Sequence, residues 1–430
     1  MLERILTTKF RDTLKLLFAD ITNQQDRMDE EKFSEDEVRI KERLLDTIDL
    51  YPPDVLLDDD FLVAAIDGSG TDNFMMLDDI RVHLLSTATV VLDSKSRDGC
   101  FFEPLSTITI MQQLGSQPHL DAHWHSGVRN DARNKLAETL ENIYPLKDVV
   151  DIVMPFFRDH TDGIVSSKSD FTGTIYEEYV PELTDMETLI TRAQMLTNPV
   201  VHDELRKVSE YAAARNVLTS DLRPKYLLLD GALSVFMHFA RKYPSMPSGF
   251  MLRDLAELAR REGVILCAVS KNHTIPFAHR IAKTAQDLFG EDAKWFCHLP
   301  CEDDPGGGLH IIEDRTYIPP ELAVPYLFSF SQENRPSRID FDRIWWLENV
   351  FVPNDPIATR QNEKALFRDL EFMSRDARWY GYPVALALAH ESCKLSYEDL
   401  RLARDISKDV RRELGLVDRK IEPMRVDYNL

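Results

Sequence analysis

The stretch Leu62-Val63-Ala64-Ala65-Ile66-Asp67-Gly68-Ser69 closes a short apolar run with an aspartate and a glycine. A second stretch, Tyr226-Leu227-Leu228-Leu229-Asp230-Gly231, has the same form. Short aliphatic runs closed by glycine are typical of buried strands, so both carboxylates are predicted to lie at strand ends. On neighbouring strands, two such carboxylates would form a site for a hard cation.

The composition is that of an ordinary globular protein. The chain has 430 residues, 43% of them hydrophobic, which is enough for one elaborated domain or two. It has no uninterrupted apolar run of about 18 residues, and Met1-Leu2-Glu3-Arg4 does not begin a basic region followed by an apolar one. We therefore expect a cytoplasmic protein without membrane contact. The five cysteines are too few and too scattered for a disulfide framework.

The net charge of −22 restricts how this chain could handle nucleic acid. Free-standing nucleic-acid binders use a broad basic surface to contact phosphates, and this acidic composition argues against one. If the protein acts on DNA, its basic contacts must be local, supplied by metal ions or contributed by a partner.

The apolar pattern divides the chain into three parts. Residues 1–54 have helical spacing and predict an N-terminal helical extension, and residues 396–430 predict a C-terminal helix and tail. Between them, three strands in succession over residues 61–114 predict an antiparallel meander. Alternating elements follow, with helices predicted at 129–143, 184–218, 252–260, 275–289, 359–374 and 397–414, and strands at 226–230, 264–269, 309–317 and 322–330. Residues 290–315 predict a loop or hairpin insertion, and the apolar segments 149–157 and 384–389 have no assignment.

This element order is that of the ribonuclease H-like fold. We predict an α/β protein whose ribonuclease H-like core, a mixed β-sheet flanked by helices, lies within residues 55–395. In that fold the first and fourth strands lie side by side and each carries a metal-binding aspartate, and a helix between them offers a glutamate. Two divalent ions about 4 Å apart, clamped by shared carboxylates, can activate a water and stabilise the leaving oxygen of a phosphodiester.

Four motifs follow one another along the chain: Ala64-Ala65-Ile66-Asp67-Gly68-Ser69, Leu227-Leu228-Leu229-Asp230-Gly231-Ala232-Leu233, Ala268-Val269-Ser270-Lys271, and Gly381-Tyr382-Pro383 with Ala389-His390. In the same order, they resemble the motifs of the NurA nucleases. The second differs from that family's Asp-Gly-Ser-Leu by an alanine in place of the serine. The matches extend from residue 64 to residue 390 and so cover most of the chain.

The resemblance implies a Mn²⁺- or Mg²⁺-dependent nuclease that processes double- or single-stranded DNA ends. It would act as a homodimer on a ring-shaped, hexameric HerA-type ATPase that drives duplex DNA toward it, in DNA repair or in defence against foreign DNA. The partner would hold the duplex, so this acidic chain would not need a broad basic surface of its own to bind DNA. Asp67 and Asp230 match the family's metal-binding aspartates. Exonuclease and endonuclease activity both remain open, as does cleavage polarity.

The third carboxylate has two candidates on the helix before Asp230. Glu210 fits the family's pattern of an arginine, three residues and a glutamate, in Arg206-Lys207-Val208-Ser209-Glu210. Glu204 competes, because a buried stripe through Val201 and Val208 would have Glu204 at its flank and Glu210 pointing away. Glu210 is preferred as the third ligand, with Glu204 as the alternative.

Four further residues could act at the same site. His390 matches the family's late histidine and could bind a metal or contact the scissile phosphate. Tyr382 could contact substrate, and Lys271 could neutralise a phosphate. Asp340 is a possible additional ligand. Each also has a structural interpretation, as a packed side chain or a solvated strand end.

Three other patterns favour structure over chemistry. A histidine-rich polar stretch is predicted to be a solvated loop, and a cysteine–histidine group lacks the second pair of a usual zinc site. A triple glycine lacks the lysine and hydroxyl residue of a nucleotide-binding loop, so no ATPase activity is expected. These patterns comprise, in turn, His119, Asp121, His123 and His125; Cys297, His298, Cys301 and His310; and Gly306-Gly307-Gly308.

The sequence leaves two rival functions. A non-catalytic ribonuclease H-like scaffold that binds a partner ATPase would not bring the carboxylates together around a metal. A metal-dependent phosphatase or nucleotidase would have an enclosed pocket in place of a groove that admits a strand.

Overall fold

The structure of the chain is a computed structural model. The structure describes residues 14–19, 60–77, 80–95, 101–104, 114, 120–126, 129–144, 148–177, 180, 185–192, 198–233, 247–273, 275, 278–299, 323–330, 336–376, 378–379, 381–415 and 421–422. Most of the predicted N-terminal extension lies outside these residues, although residues 14–19 are helical. In the described part, no helix is both long enough and apolar enough to cross a bilayer.

The strands form one mixed sheet. Their bounds are β1 Leu62–Leu77, β2 Ile80–Lys95, β3 Phe101–Pro104, β4 Leu120–Ser126, β5 Tyr226–Asp230, β6 Ile265–Ser270, β7 Trp295–His298, β8 Ala323–Ser329, β9 Ser337–Asp342 and β10 Ile421–Glu422.

Helices cover both faces of this sheet. Their bounds are α1 Arg129–Ile143, α2 Val149–His160, α3 Met186–Arg192, α4 Asn198–Thr219, α5 Pro247–Glu262, α6 Ala278–Phe289, α7 Arg343–Asn349, α8 Pro356–Met373, α9 Val384–Cys393 and α10 Tyr397–Glu413. A short 3-10 helix, Lys168–Phe171, follows α2.

The strand order confirms the predicted fold class. The sheet runs β3-β2-β1-β5-β6-β9-β8-β7, with β4 paired to β2 and β10 to β1. The first three strands are an antiparallel meander, whereas β5 is parallel to β1 and β6 is parallel to β5. An antiparallel meander joined through its first strand to two parallel strands is the core of the ribonuclease H-like fold.

The first strand is longer than predicted. β1 continues past Asp67 to Leu77, so Asp67 does not end the strand. Pairing with β5 stops at Ile66, however, while pairing with β2 continues, with a register shift between Thr71 and Met75. Asp67 therefore lies where β1 loses its neighbour on one side, and this open edge takes the place of the predicted strand end.

The two faces of the sheet have separate cores. Ala64 and Ile66 of β1 belong to the core formed with α1–α5, whereas Val63 and Ala65 belong to the core formed with α7–α9. Because side chains alternate along a strand, Asp67 points to the α7–α9 face. The same alternation in β5 directs Asp230 to that face.

The predicted helices at 129–143, 252–260, 275–289, 359–374 and 397–414 are confirmed, and the segment 184–218 is helical in two parts, α3 and α4. The unassigned apolar segments form α2 and α9. Residues 120–126 are strand β4, so the prediction of a solvated loop there was wrong, and β7 lies within the predicted insertion at 290–315. The strand predicted at 309–317 and the triple glycine at 306–308 lie outside the described residues.

Candidate active site

Strand register brings the two aspartates together. β1 and β5 pair in parallel from Val63 opposite Tyr226 to Ile66 opposite Leu229. The same offset carried one residue further aligns Asp67 with Asp230, on strands about 4.8 Å apart. Asp67 is 2% exposed, whereas Asp230 is open to solvent. The pair thus has one carboxylate at the base of the site and one at its surface.

Asp67 is held by its own strand and by α9. Its Oδ1 accepts a hydrogen bond from the Gly68 amide at 2.7 Å, and its Oδ2 lies 2.8 Å from His390 Nδ1. Cys393, one helical turn after His390, also faces this carboxylate. Burial raises the pKa of the Cys393 thiol, and the charge of Asp67 raises it further. Because His390 Nδ1 contacts Asp67, only its Nε2 is left to contact a metal ion or a phosphate.

Asp230 is contacted by the tyrosine of the Gly-Tyr-Pro motif. The Tyr382 hydroxyl donates to Asp230 Oδ1 at 3.3 Å, and Lys271 Nζ lies 4.0 Å from the centre of the Tyr382 ring. Although Asp230 as a residue is exposed, the surrounding protein desolvates its carboxyl and raises its pKa; the charge of Asp67 raises it further, and the Tyr382 hydrogen bond opposes the rise. Tyr382 thus contacts Asp230, and Lys271 lies against the Tyr382 ring.

Glu210 approaches from the opposite face of the sheet, where α4 packs on β1. A Cβ atom built on Gly68 would lie 2.6 Å from Glu210 Oε1, so the glutamate occupies space that any other residue at position 68 would fill. Arg206 donates to Glu210 Oε1 at 2.7 Å and to the Gly68 carbonyl at 3.4 Å. Because Gly68 has no side chain, Glu210 packs directly against β1 at the residue that follows Asp67.

Burial governs the ionisation of Glu210. Desolvation raises the pKa of this carboxyl from 4.5 to about 7. Arg206 opposes that rise, whereas the negative charges of Asp67 and Asp230 add to it. The three carboxylates therefore repel one another, and a cation among them would relieve the repulsion.

Glu204 serves the fold in a different place. Its two oxygens accept hydrogen bonds from the Ser248 amide and hydroxyl, both at 2.7 Å, at the start of α5. The expectation that Glu210 would point away from the buried face was wrong, since both glutamates are buried. Between the two candidates, Glu210 is the one that lies beside β1.

Asp340 is fully buried and already bonded. Arg338 donates to both of its oxygens at 2.6 Å, and the Leu233 amide donates to Oδ2 at 3.1 Å. These contacts support the interpretation of Asp340 as a structural residue rather than an additional ligand.

The other sequence clusters are only partly described. His123 lies on β4 opposite His83 of β2, and Cys297 is a buried residue of β7. His119, Cys301 and His310 lie outside the described residues. Within the described ranges, no three histidine, cysteine or carboxylate side chains are arranged as a ready-made metal site.

The donor set around Asp67 nevertheless suits a hard divalent cation. Asp67, Asp230 and Glu210 offer carboxylate oxygens, which Mg²⁺ and Mn²⁺ prefer. Desolvation raises the pKa of both Asp230 and Glu210, and the negative charge of Asp67 adds to each rise. Since Arg206 engages Glu210 and His390 engages Asp67, these side chains would have to adjust to admit an ion.

Two neighbours of the carboxylates were not singled out from the sequence as functional. Arg206 precedes Glu210 by four residues, a spacing that brings opposite charges together on a helix and could have identified the ion pair. Cys393 follows His390 by three residues on α9, but an unassigned apolar segment gave no helical face on which to place it.

No protein-family profile and no curated protein matches this chain. Among solved structures, the chain is similar to the NurA nuclease from Sulfolobus solfataricus, with 13% identity, a TM-score of 0.43, and coverage of 95% of this chain and 98% of that one. It is also similar to a NurA bound to dAMP and manganese, with 12% identity, a TM-score of 0.32, and coverage of 92% and 96%. A third match is Ciona intestinalis endonuclease V in complex with DNA, with 10% identity, a TM-score of 0.27, and coverage of 86% and 95%.

Proposed function

We propose that this chain is a metal-dependent deoxyribonuclease that hydrolyses phosphodiester bonds at DNA ends. One observation carries the proposal: the register of β1 and β5 aligns Asp67 with Asp230 on one face of the sheet, while Glu210 packs from the other face against Gly68, the residue after Asp67. Neighbouring carboxylates whose pKa is raised by desolvation and by nearby negative charge, as for Asp230 and Glu210, are typical of cation sites that handle phosphate chemistry.

Asp67, Asp230 and Glu210 would hold the metal. When bound, Mn²⁺ or Mg²⁺ supplies Lewis acidity to a phosphodiester and its attacking water. His390 would fix the orientation of Asp67 through Nδ1, and its Nε2 would contact a metal ion or the scissile phosphate. Tyr382 would orient Asp230 through its hydroxyl and contact the strand.

Lys271 would neutralise the phosphate next to the reacting one. Its ammonium lies over the Tyr382 ring, and it is exposed to solvent. This side chain is a local cation of the kind that an acidic chain with a net charge of −22 needs at a nucleic-acid site.

The cellular setting that we propose follows from the sequence motifs. The chain would act as a homodimer with a HerA-type hexameric ATPase that feeds DNA to it, in repair or in defence against foreign DNA. Such a partner would supply the extended duplex contacts that the charge of this chain disfavours.

Three isosteric variants, Asp67→Asn, Asp230→Asn and Glu210→Gln, test the site. Each should fold and lose cleavage of linear DNA in Mn²⁺ by about 100-fold or more, because each removes a negative charge where the cation would bind. Asp287→Asn, which changes an exposed aspartate on α6, is the matched control and should cleave as the unaltered protein does.

Full cleavage by a folded Asp67→Asn or Asp230→Asn protein would contradict the proposal. If the unaltered protein neither cleaves DNA nor gains thermal stability from Mn²⁺, a non-catalytic scaffold is the better account. Hydrolysis of mononucleotides or phosphate monoesters but not of DNA would favour a phosphatase or nucleotidase.

A further inference from the structure

A backbone clamp holds the turn that follows Asp230. The Gly231 amide donates to the Val269 carbonyl at 3.0 Å. Two residues later, the Leu233 amide donates to Asp340 Oδ2 at 3.1 Å, and Arg253 donates to the Leu233 carbonyl at 3.3 Å. Leu233 is thus held at both its N–H and its C=O by charged side chains of opposite sign.

The acidic half of the clamp is rigid. Asp340 lies on β9 and is 0% exposed. Arg338, two residues earlier on the same strand, bonds both of its oxygens at 2.6 Å. This two-bond geometry fixes the plane of the carboxylate and therefore fixes where the Leu233 amide must lie.

The basic half is anchored from the other direction. Arg253 of α5 is also 0% exposed and donates to Asp342 Oδ1 at 3.3 Å. The second oxygen of Asp342 accepts from Arg260 at 2.6 Å, and Arg260 also bonds both oxygens of Asp159 on α2, at 3.0 and 3.1 Å. The Leu233 carbonyl is therefore tied to a buried charge network that joins β9, α5 and α2.

Holding a turn with buried charges is energetically unfavourable unless the charges are well paired. Burying ionised side chains carries a large desolvation cost before their pairing is counted, and apolar packing of the same volume is often as stable. Charged hydrogen bonds fix the direction and distance of the groups that they join. A metal ligand needs such fixing, because the groups that orient a ligand strongly influence metal affinity.

We propose that Asp340 and Arg253 are positioning residues that hold Asp230 opposite Asp67 and thereby set the affinity of the site for a divalent cation. This inference rests on the proposed function. Neither residue would touch the cation or the substrate, and each would act through the backbone of Leu233, three residues beyond Asp230.

Asp340→Asn is the test, with Mn²⁺ binding by the full chain measured by calorimetric titration. The variant leaves one oxygen to serve both Arg338 and the Leu233 amide, so the turn loosens. We expect the Mn²⁺ dissociation constant to rise about tenfold. In cleavage assays, excess Mn²⁺ should restore activity to Asp340→Asn but not to Asp230→Asn.

Asp369→Asn is the matched control, because Asp369 is a buried aspartate that bonds the opposite end of β5. It accepts from the Tyr226 hydroxyl at 2.9 Å and from Lys225 at 2.7 Å. This variant should lose thermal stability as Asp340→Asn does, yet bind Mn²⁺ with unaltered affinity. If Asp340→Asn does not fold, Arg253→Lys, which keeps the charge beside Asp342, replaces it in the same comparison.

The outcomes separate the two proposals. Unaltered Mn²⁺ affinity in the folded clamp variant overturns the positioning role alone, and so does an equal loss of affinity in Asp369→Asn. Absence of Mn²⁺ binding by the unaltered protein, or unaltered binding by Asp230→Asn, overturns the proposed function and the positioning role with it.

Discussion

Gly68 matters because it has no side chain. A Cβ atom there would lie 2.6 Å from Glu210 Oε1, 2.9 Å from Glu210 Cγ and 3.2 Å from Arg206 Cγ. Gly68→Ala should therefore displace Glu210 while leaving β1 intact, since Gly68 does not have the positive φ that would strain an alanine. We expect a folded protein whose DNA cleavage in Mn²⁺ falls by about tenfold or more.

Gly163→Ala provides the comparison for that experiment. Gly163 is exposed after α2, has a φ of +83°, and has nothing within 4 Å of an added Cβ. Its substitution strains the backbone by about 1 kcal/mol without touching Glu210. Comparable loss of cleavage in both variants would mean that general destabilisation, and not the displacement of Glu210, is responsible.

The ionisation of Glu210 gives the metal-free protein a pH-dependent stability. Because the folded state raises the pKa of this carboxyl from 4.5 to about 7, the folded chain holds the proton more tightly than the unfolded chain does. The free energy of unfolding should therefore decrease as pH rises from about 4.5 to about 7, with Glu210 contributing about 3 kcal/mol of that decrease.

Urea unfolding in EDTA at a series of pH values measures this effect. Asp230 also has a raised pKa and contributes to the total, so the useful quantity is the difference between the unaltered protein and Glu210→Gln. We expect that difference to grow through this pH range. A difference that does not change with pH would show that Glu210 ionises normally in the folded chain.

At the scale of elements, the strands that carry the aspartates were the most predictable part of the fold. The apolar runs before Asp67 and Asp230 are buried on both faces of the sheet, and such strands are continuous in sequence. β4 was missed because it is a polar strand at the side of β2, where residues such as Trp124 remain exposed and no apolar alternation develops. The secondary structure of the segment 384–389 was ambiguous, since a short apolar run fits a strand and a buried helix equally well.

The third carboxylate could not be derived from helical periodicity. α4 packs against β1 and β2 on one side and against α5 on another, so it is enclosed in several directions. A helix of this kind has no single buried stripe, and Glu204 and Glu210 are both buried although they lie on different sides of it. The arginine–glutamate pattern favoured Glu210 in the sequence, and the tertiary contacts show why the two differ: Glu204 bonds Ser248 and Glu210 packs against Gly68.

The contact between Glu204 and Ser248 joins α4 to α5 and should contribute to stability. Glu204→Ala removes both acceptors and leaves the buried Ser248 amide at the start of α5 without this partner. We expect a loss of about 2 kcal/mol in the free energy of unfolding, measured by urea denaturation, with unaltered Mn²⁺ affinity.

An exposed cap serves as the reference. Asp185 accepts from the Thr188 amide at 2.6 Å at the exposed start of α3, and Asp185→Ala should cost about 1 kcal/mol or less. If Glu204→Ala weakened Mn²⁺ binding as strongly as Glu210→Gln does, Glu204 would have to be counted with the ligands.

At the scale of the whole molecule, the net negative charge restricts where DNA can bind. A chain with a net charge of −22 repels a polyanion over most of its surface, so an approaching DNA strand is attracted only locally. The proposed site would supply that attraction through a bound cation and Lys271, next to carboxylates that would repel DNA without the metal. DNA binding by the isolated chain should therefore require the divalent ion.

The salt dependence of DNA binding tests this view directly. With Ca²⁺ in place of Mn²⁺ to slow cleavage, fluorescence anisotropy on a short single strand should give a shallow slope of log K against log salt, equivalent to about two or three phosphate contacts. Lys271→Ala should reduce the slope by about 0.7, the value for one contact on a single strand, whereas Lys283→Ala, at an exposed lysine of α6, should not change it. Counterion release depends on the number of phosphates that the protein neutralises, wherever they lie. A slope equivalent to about six or more contacts that Lys271→Ala does not change would therefore require an extended basic surface on this chain.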